Sequence, residues 1–363
     1  MEGKVPKKVI KSRVKKLKEL MLELDANGLL LTQPENVQYV TGFNVVGNPP
    51  KSSWALILEE HEEAYLLVPA LEYYEALDEV ESAEVVLLNK DKRVMEAITD
   101  FLVEKRMFGP ICLDDLHNQE LMNFIRRKLG IEDLRSIHPY IEGLRAKKDD
   151  YEVSCIKEAV EKAKKGLERG LEVLREGIKE VSLAAEIEKV LREEGVENMA
   201  FDIVIASGYR SSYPHAKPTT KRIERGESVV IDLGVRVQGY CSDLTRTFIV
   251  GSNREIEDLL TCVVDVQREC ALEIRSGTKA SLIDAKARCL LKERGLHEQF
   301  LHGLGHGIGL SVHEKPTMSS LSEDILERGN VITVEPGVYF RGKFGVRHED
   351  VFLVDNHGCI KLS

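Results

Sequence analysis

The chain has 363 residues, and 61 acidic side chains against 51 basic ones give it a formal net charge of −10. Hydrophobic residues make up 43% of it, enough to bury a core and to exclude a mostly disordered chain, and the acidic balance weighs against nucleic acid as a partner. No run approaches the ~18 apolar residues of a membrane span, and the basic N-terminal stretch lacks the apolar centre of a secretory leader, so a soluble, cytoplasmic protein of about two domains is expected.

A helical stripe of Val9, Leu17, Leu20, Met21 and Leu24 predicts a helix from Lys7 to Ala26, with Gly28 as its stop. Residues 29–32 read as a short buried strand. Strands and turns are expected to continue through Asn36 to Phe43 and Trp54 to Leu58, with Gly42, Gly47, Pro49 and Pro50 as breakers. Further short strands are predicted at Ala64 to Val68, Val85 to Leu88 and Ile111 to Leu113, with helices from Arg93 to Arg106 and Gln119 to Leu129 between them. This alternation predicts an α/β N-terminal domain over residues 1–143. From Lys147 to Arg175 the chain is charged and helical, which opens a second domain over residues 144–363.

The second domain carries an internal echo. Residues 174–183 (LREGIKEVSL) recur as residues 274–282 (IRSGTKASL), each run preceded by a long helix and followed by another. The second helices end in Arg192-Glu193-Glu194-Gly195 and Lys292-Glu293-Arg294-Gly295. A period of about 100 residues is too long for a solenoid and points to a duplicated helix–helix–strand half. Junctions between such halves often form sites.

Residues 228–250 (SVVIDLGVRVQGYCSDLTRTFIV) read as a hairpin. A turn centred between Val237 and Gln238 would set Asp232 opposite Asp243, and facing carboxylates need a shared proton, an arginine or a metal. Cys241 falls on the face of Asp243, as a buried filler or a soft neighbour to bound metal. A second hairpin runs from Val331 to Val354 and brings Glu335 opposite 349 or 350; parity selects Glu349. Between the hairpins, His302, His306 and His313 fall within twelve residues, among glycines that let the backbone approach closely. Asp232, Asp243, His306, Glu335 and Glu349 form an oxygen-rich set with one imidazole. Its four negative charges match two divalent cations, and the donors suit Mn, Co, Fe or Zn.

Together the runs VVIDLG, SDLTRT, HGLGHGIGLSVHE, ITVEPGVY and VRHEDVFLV resemble the metallopeptidase family that includes Xaa-Pro dipeptidase (prolidase), Xaa-Pro aminopeptidase and methionine aminopeptidase. The resemblance covers nearly all of the chain. It implies a pita-bread catalytic domain built from a duplicated half, and a creatinase/prolidase-like N-terminal domain, which residues 34–43 (PENVQYVTGF) also resemble. Five metal ligands map onto Asp232, Asp243, His306, Glu335 and Glu349, for two divalent ions (Mn, Co or Zn). Further active-site positions map onto His215, His302, His313 and Arg347. The implied activity is hydrolysis of Xaa-Pro bonds in proline-containing peptides: dipeptides first, longer peptides as the alternative, since Thr317 stands where many dipeptidases carry an arginine. The implied roles are catalysis for His215, His313 and Glu335, and substrate binding for His302, His215 and Arg347. A homodimer is implied too, its N-terminal domains capping the cleft. A non-catalytic binding module on the same fold is the contrasting reading, and the complete ligand set argues against it.

Overall fold

The structure is a computed structural model and describes residues 4–47, 50–107 and 109–363. The expected breaker Pro49 lies outside the described residues. The chain divides into two compact units, the first ending at Leu144 and the second starting at Arg145.

The first unit runs α1 (Lys7–Glu23), β1 (Gly28–Leu31), α2 (Pro34–Thr41), β2 (Trp54–Leu58), β3 (Ala64–Val68), α3 (Tyr73–Glu79), β4 (Ala83–Leu87), α4 (Val94–Glu104), β5 (Ile111–Leu113), α5 (Gln119–Leu129) and β6 (Leu134–Ser136), and α6 (His138–Ala146) crosses the division. Its strands form one mixed sheet in the order β4-β3-β2-β1-β5-β6. Leu30, Leu56, Leu67, Ile111 and Leu113 from this sheet pack with Ile98, Leu102 and Ile125 of α4 and α5.

Two expectations are corrected here. Helix α1 ends at Glu23, because Asp25 turns the backbone left-handed (φ 48°), and Gly28 opens β1 instead of stopping the helix. The strand expected over Asn36 to Phe43 is the helix α2. Pro34 pre-sets its first turn, Glu35 complements the N-terminus, and Gly42 closes it at φ 76°.

The second unit runs α7 (Asp150–Val173), α8 (Glu180–Glu193), β7 (Asn198–Met199), β8 (Val204–Ser207), β9 (Ser228–Leu233), β10 (Val235–Val237), β11 (Tyr240–Cys241), β12 (Leu244–Ile249), α9 (Arg254–Ala271), α10 (Ala280–Glu293), β13 (Gly305–Gly307), β14 (Glu314–Met318), β15 (Val331–Val334), β16 (Gly337–Phe340), β17 (Phe344–Arg347), β18 (Asp350–Val354) and β19 (Cys359–Lys361). Asp149 and Glu152 form a reciprocal capping box that starts α7.

The duplication is visible in the backbone. α8 and α10 each span 14 residues, one hundred positions apart. Gly177 and Gly277 sit at φ 83° and 89°, and Gly195 and Gly295 at 72° and 71°. The Gly177 amide donates to the Ile223 carbonyl, and that of Gly277 to the Leu326 carbonyl, both at 2.8 Å. Each half therefore reverses between its helices with the same left-handed glycine and the same tether to a later segment, next to an isolated bridge at Arg222 in one half and Ile325 in the other.

Candidate active site

The first hairpin has a register two residues away from the expected one. Leu233 pairs with Leu244 and Asp232 with Thr245, while Val237 pairs with Tyr240. The cause is the turn: Gln238 and Gly239 both take positive φ (52° and 77°), so the loop is the two residues 238–239 rather than one centred between 237 and 238. Asp243 thus lies diagonal to Asp232, two residues before its partner Thr245.

The second hairpin pairs Val334 with Asp350 and Gly337 with Arg347, which brackets Glu335 and Glu349 as the facing pair between them. Asp350 takes the opposite face. Burial works to raise its pKa, but His348, Arg246 and Lys361 hold its carboxyl well below the ordinary range. The two hairpins are laced together: the Glu349 amide donates to the Thr245 carbonyl, and the Thr247 hydroxyl to the Arg347 carbonyl.

His215, Asp232, Asp243, His302, His306, His313, Glu335, Arg347 and Glu349 all line one cavity of about 680 Å³. Ligand atoms of Asp243, His306 and Glu349 lie within 4.8 Å of one another. His306 Nδ1 faces the Gly307 carbonyl at 3.1 Å, and since a carbonyl only accepts, Nδ1 carries the proton. Its Nε2 lone pair then faces Asp243 Oδ2 (3.6 Å) and Glu335 Oε1 (3.4 Å), so an imidazole nitrogen and two carboxyl oxygens converge on one point. Burial, with the neighbouring His313 ring, drives the His306 pKa down to about 3, and the imidazole stays neutral.

The acids carry the complementary imbalance. Burial, then the charges of Glu349, Asp232 and Glu335, push Asp243 well above the usual carboxylate range. Burial and Glu335 do the same to Glu349, and burial lifts Glu335 to about 8. Asp232 Oδ1 and Glu349 Oε1 are buried without a hydrogen-bond partner. A neutral imidazole lone pair, crowded carboxylates and two orphaned buried oxygens are the donor set that a divalent cation satisfies.

Around these groups lies a shell that the sequence reasoning missed. The Thr245 hydroxyl donates to Glu349 Oε2 at 2.7 Å and accepts from Arg347 Nε at 3.1 Å. Thr333 Oγ1 accepts from the His306 amide at 3.0 Å. Arg347, expected as a substrate contact, is 4% exposed, and its guanidinium is engaged by Asp232, Thr245, the Tyr339 hydroxyl (2.9 Å) and the Pro214 carbonyl (3.3 Å). Tyr339 in turn meets His302 Nε2 at 3.0 Å, while His302 Nδ1 donates to the Gly303 carbonyl. Burial lowers the His302 pKa to about 4. His313 stacks edge-on against His306, 4.2 Å between ring centres. The signal for Thr245 was present in the sequence: it sits two residues after Asp243, on the same strand face. Cys241 is buried with its thiol against the Leu310 carbonyl.

Residues 154–356 match the model of metallopeptidase family M24, and residues 13–147 that of the creatinase/prolidase N-terminal domain. The chain belongs to metallopeptidase family M24. Among its relatives is the Xaa-Pro dipeptidase of Pyrococcus furiosus, 35% identical over 98% of both chains. The M24 fold recurs in the crystal structure of the prolidase from Pyrococcus horikoshii OT3, with a TM-score of 0.88 at 35% identity over 97% of each chain. The X-Pro aminopeptidase of Thermotoga maritima gives 0.87 at 31% identity, covering 96% of this chain and 97% of that one. A divalent metal cofactor goes with membership of this family. The architecture is that of the family, a creatinase-type N-terminal domain followed by a pita-bread domain. Among the described residues, no helix is long and apolar enough to cross a membrane.

Proposed function

We propose that this M24 hydrolase is an Xaa-Pro dipeptidase that works as a homodimer in the cytoplasm, with two divalent ions (Mn, Co or Zn) held by Asp232, Asp243, His306, Glu335 and Glu349. The observation that carries the reading is the convergence of the His306 lone pair on Asp243 and Glu335, beside the unpartnered oxygens of Asp232 and Glu349. When bound, the ions supply the Lewis acidity that activates water near neutral pH and polarises the scissile carbonyl. Glu335 accepts the proton of the attacking water at its carboxylate. His215 and His313, both exposed to the cavity, steady the oxyanion at the carbonyl before proline or protonate the leaving nitrogen. Phe201, Ile203, Val204 and Val312 give the cavity an apolar wall that suits a pyrrolidine ring. Arg347 acts on substrate through Asp232 and Tyr339, and His302 through its own contact with the cavity.

Thr317 favours a second reading, an aminopeptidase that accepts longer peptides, because this part of the rim carries a hydroxyl where an arginine would restrict substrates to dipeptides. Metal-reconstituted protein assayed on Xaa-Pro and Xaa-Pro-Xaa peptides decides between them. Preferential cleavage of the dipeptide supports the first reading, and efficient release of the first residue from the tripeptide the second. Glu335→Gln should fold normally and lose turnover; retained turnover would remove Glu335 from the chemistry.

A further inference from the structure

The cavity has an uneven supply of positive charge. The Arg347 guanidinium is already spent on Asp232, Thr245, the Tyr339 hydroxyl and the Pro214 carbonyl. Among the described residues lining the cavity, Lys217 is the one ammonium. It stands two residues after His215. Its backbone is anchored at the residue itself and just after it: Arg210 donates to the Lys217 carbonyl, and the Thr219 amide and hydroxyl both donate to the buried Glu180 carboxylate, at 3.0 and 2.7 Å. The ammonium itself pairs with Asp202 Oδ2 at 2.9 Å, and the two side chains are 79% and 80% exposed. An ion pair so exposed is worth less than a factor of about five in an equilibrium constant, so an incoming carboxylate can replace Asp202.

We infer that Lys217 is the receptor for the free C-terminal carboxylate of a dipeptide substrate, and that Asp202 is the resident counter-ion which that carboxylate displaces. This rests on the Xaa-Pro reading above and gives it a length rule: a peptide whose proline carboxylate is free gains the Lys217 contact, and one blocked or extended there does not. Asp202 then works against binding of the preferred substrate. Removing it should improve the enzyme.

The test compares Ala-Pro with Ala-Pro amide on metal-loaded wild type, K217M, K217R and D202N. Both sites are exposed, so the variants keep the fold. K217M should raise KM for Ala-Pro by about two- to fivefold, the roughly tenfold worth of a charge-assisted contact less the exposed Asp202 pair it displaces, with kcat nearly unchanged and the amide unaffected. K217R should restore most of the loss. D202N should lower KM for Ala-Pro by about two- to fivefold, the worth of the ion pair it removes. The inference is overturned by a K217M effect equal on acid and amide, by no effect, or by an unchanged or higher KM in D202N. If wild type cleaves neither peptide, the Xaa-Pro reading itself fails; if it cleaves both and K217M leaves their ratio unchanged, only the carboxylate receptor fails.

Discussion

The loop before β14 is pinned by a buried charge cluster whose removal has a calculable cost. Glu314 Oε2 accepts from Arg145 Nη2 and Oε1 from Lys148 Nζ, each at 2.6 Å, and Arg145 also donates to Ser311 Oγ at 2.8 Å. The side chains of Lys148, Glu314 and Arg145 are 0%, 8% and 10% exposed. In Glu314→Gln two buried cations lose their counter-charge, and breaking a buried pair in this way costs about 3–5 kcal/mol. For a unit of this size each kcal/mol moves Tm by roughly 2–4 °C, so a fall of roughly 6–20 °C is expected by calorimetry or circular dichroism. The pH dependence has a definite sign. Burial raises the Glu314 pKa, but Lys148 and Arg145 outweigh it and hold the carboxyl below 4.5. A depressed carboxyl stabilises the fold above its unfolded pKa, and that stability is lost as pH falls through the lower, folded value. The gap between wild type and variant should therefore be full at pH 6–7 and narrow under acid. A Tm within about 2 °C of wild type at neutral pH would refute the reasoning.

Three further outcomes follow from the same contacts. In metal-free protein the raised pKa values of Asp243, Glu335 and Glu349 contribute stability that is present at low pH and lost as pH rises, for Glu335 between 4.5 and about 8; chelation should therefore lower Tm more at pH 8 than at pH 5, and a pH-independent gap in scanning fluorimetry would contradict it. Thr245→Val removes the hydroxyl that orients Glu349 and should weaken metal affinity by about 10–100-fold in calorimetric titration, with the fold intact. Glu180→Gln loosens both ends of the segment carrying His215, which Glu180 holds through Ser207 and Thr219; kcat/KM should fall about tenfold while metal affinity stays unchanged, and a loss of metal binding would reassign the residue.

How far the sequence reached depended on whether a feature left a local pattern. The family is carried by five short runs, and the facing of Glu335 and Glu349 followed from parity along regular strands. The pairing in the first hairpin differs from the expected one by two residues because Gln238, a non-glycine residue, takes a positive φ together with Gly239, and the two-residue turn they make shifts every pair behind it. Helix α2 differs from the expected strand for a similar reason: Val37, Tyr39, Val40 and Thr41 suit a strand, and only the proline–glycine punctuation distinguishes the segment. Nothing periodic announced Glu180 or Lys148. Their partners lie up to 39 and 166 residues away, and such a pair becomes visible only when the chain is folded.

Holding four carboxylates at one centre requires that their strands cannot separate when the acids repel, and the duplicated halves meet that requirement in parallel ways. In one half a buried acid on the second helix, Glu180, gathers the two ends of the segment that presents His215. In the other, the buried Asp284 on the second helix accepts from the Leu304 amide at 3.0 Å and, through Arg288, reaches the His302 carbonyl. The Leu304 carbonyl then accepts from the Glu335 amide at 2.8 Å, so the same tie reaches a carboxylate of the cluster. Each helix thus anchors an active-site segment with a carboxylate that is itself fully bonded. The repulsion at the centre is opposed by ties whose strength does not depend on bound metal. A scaffold of this kind holds its donors together through bonds made by the protein alone.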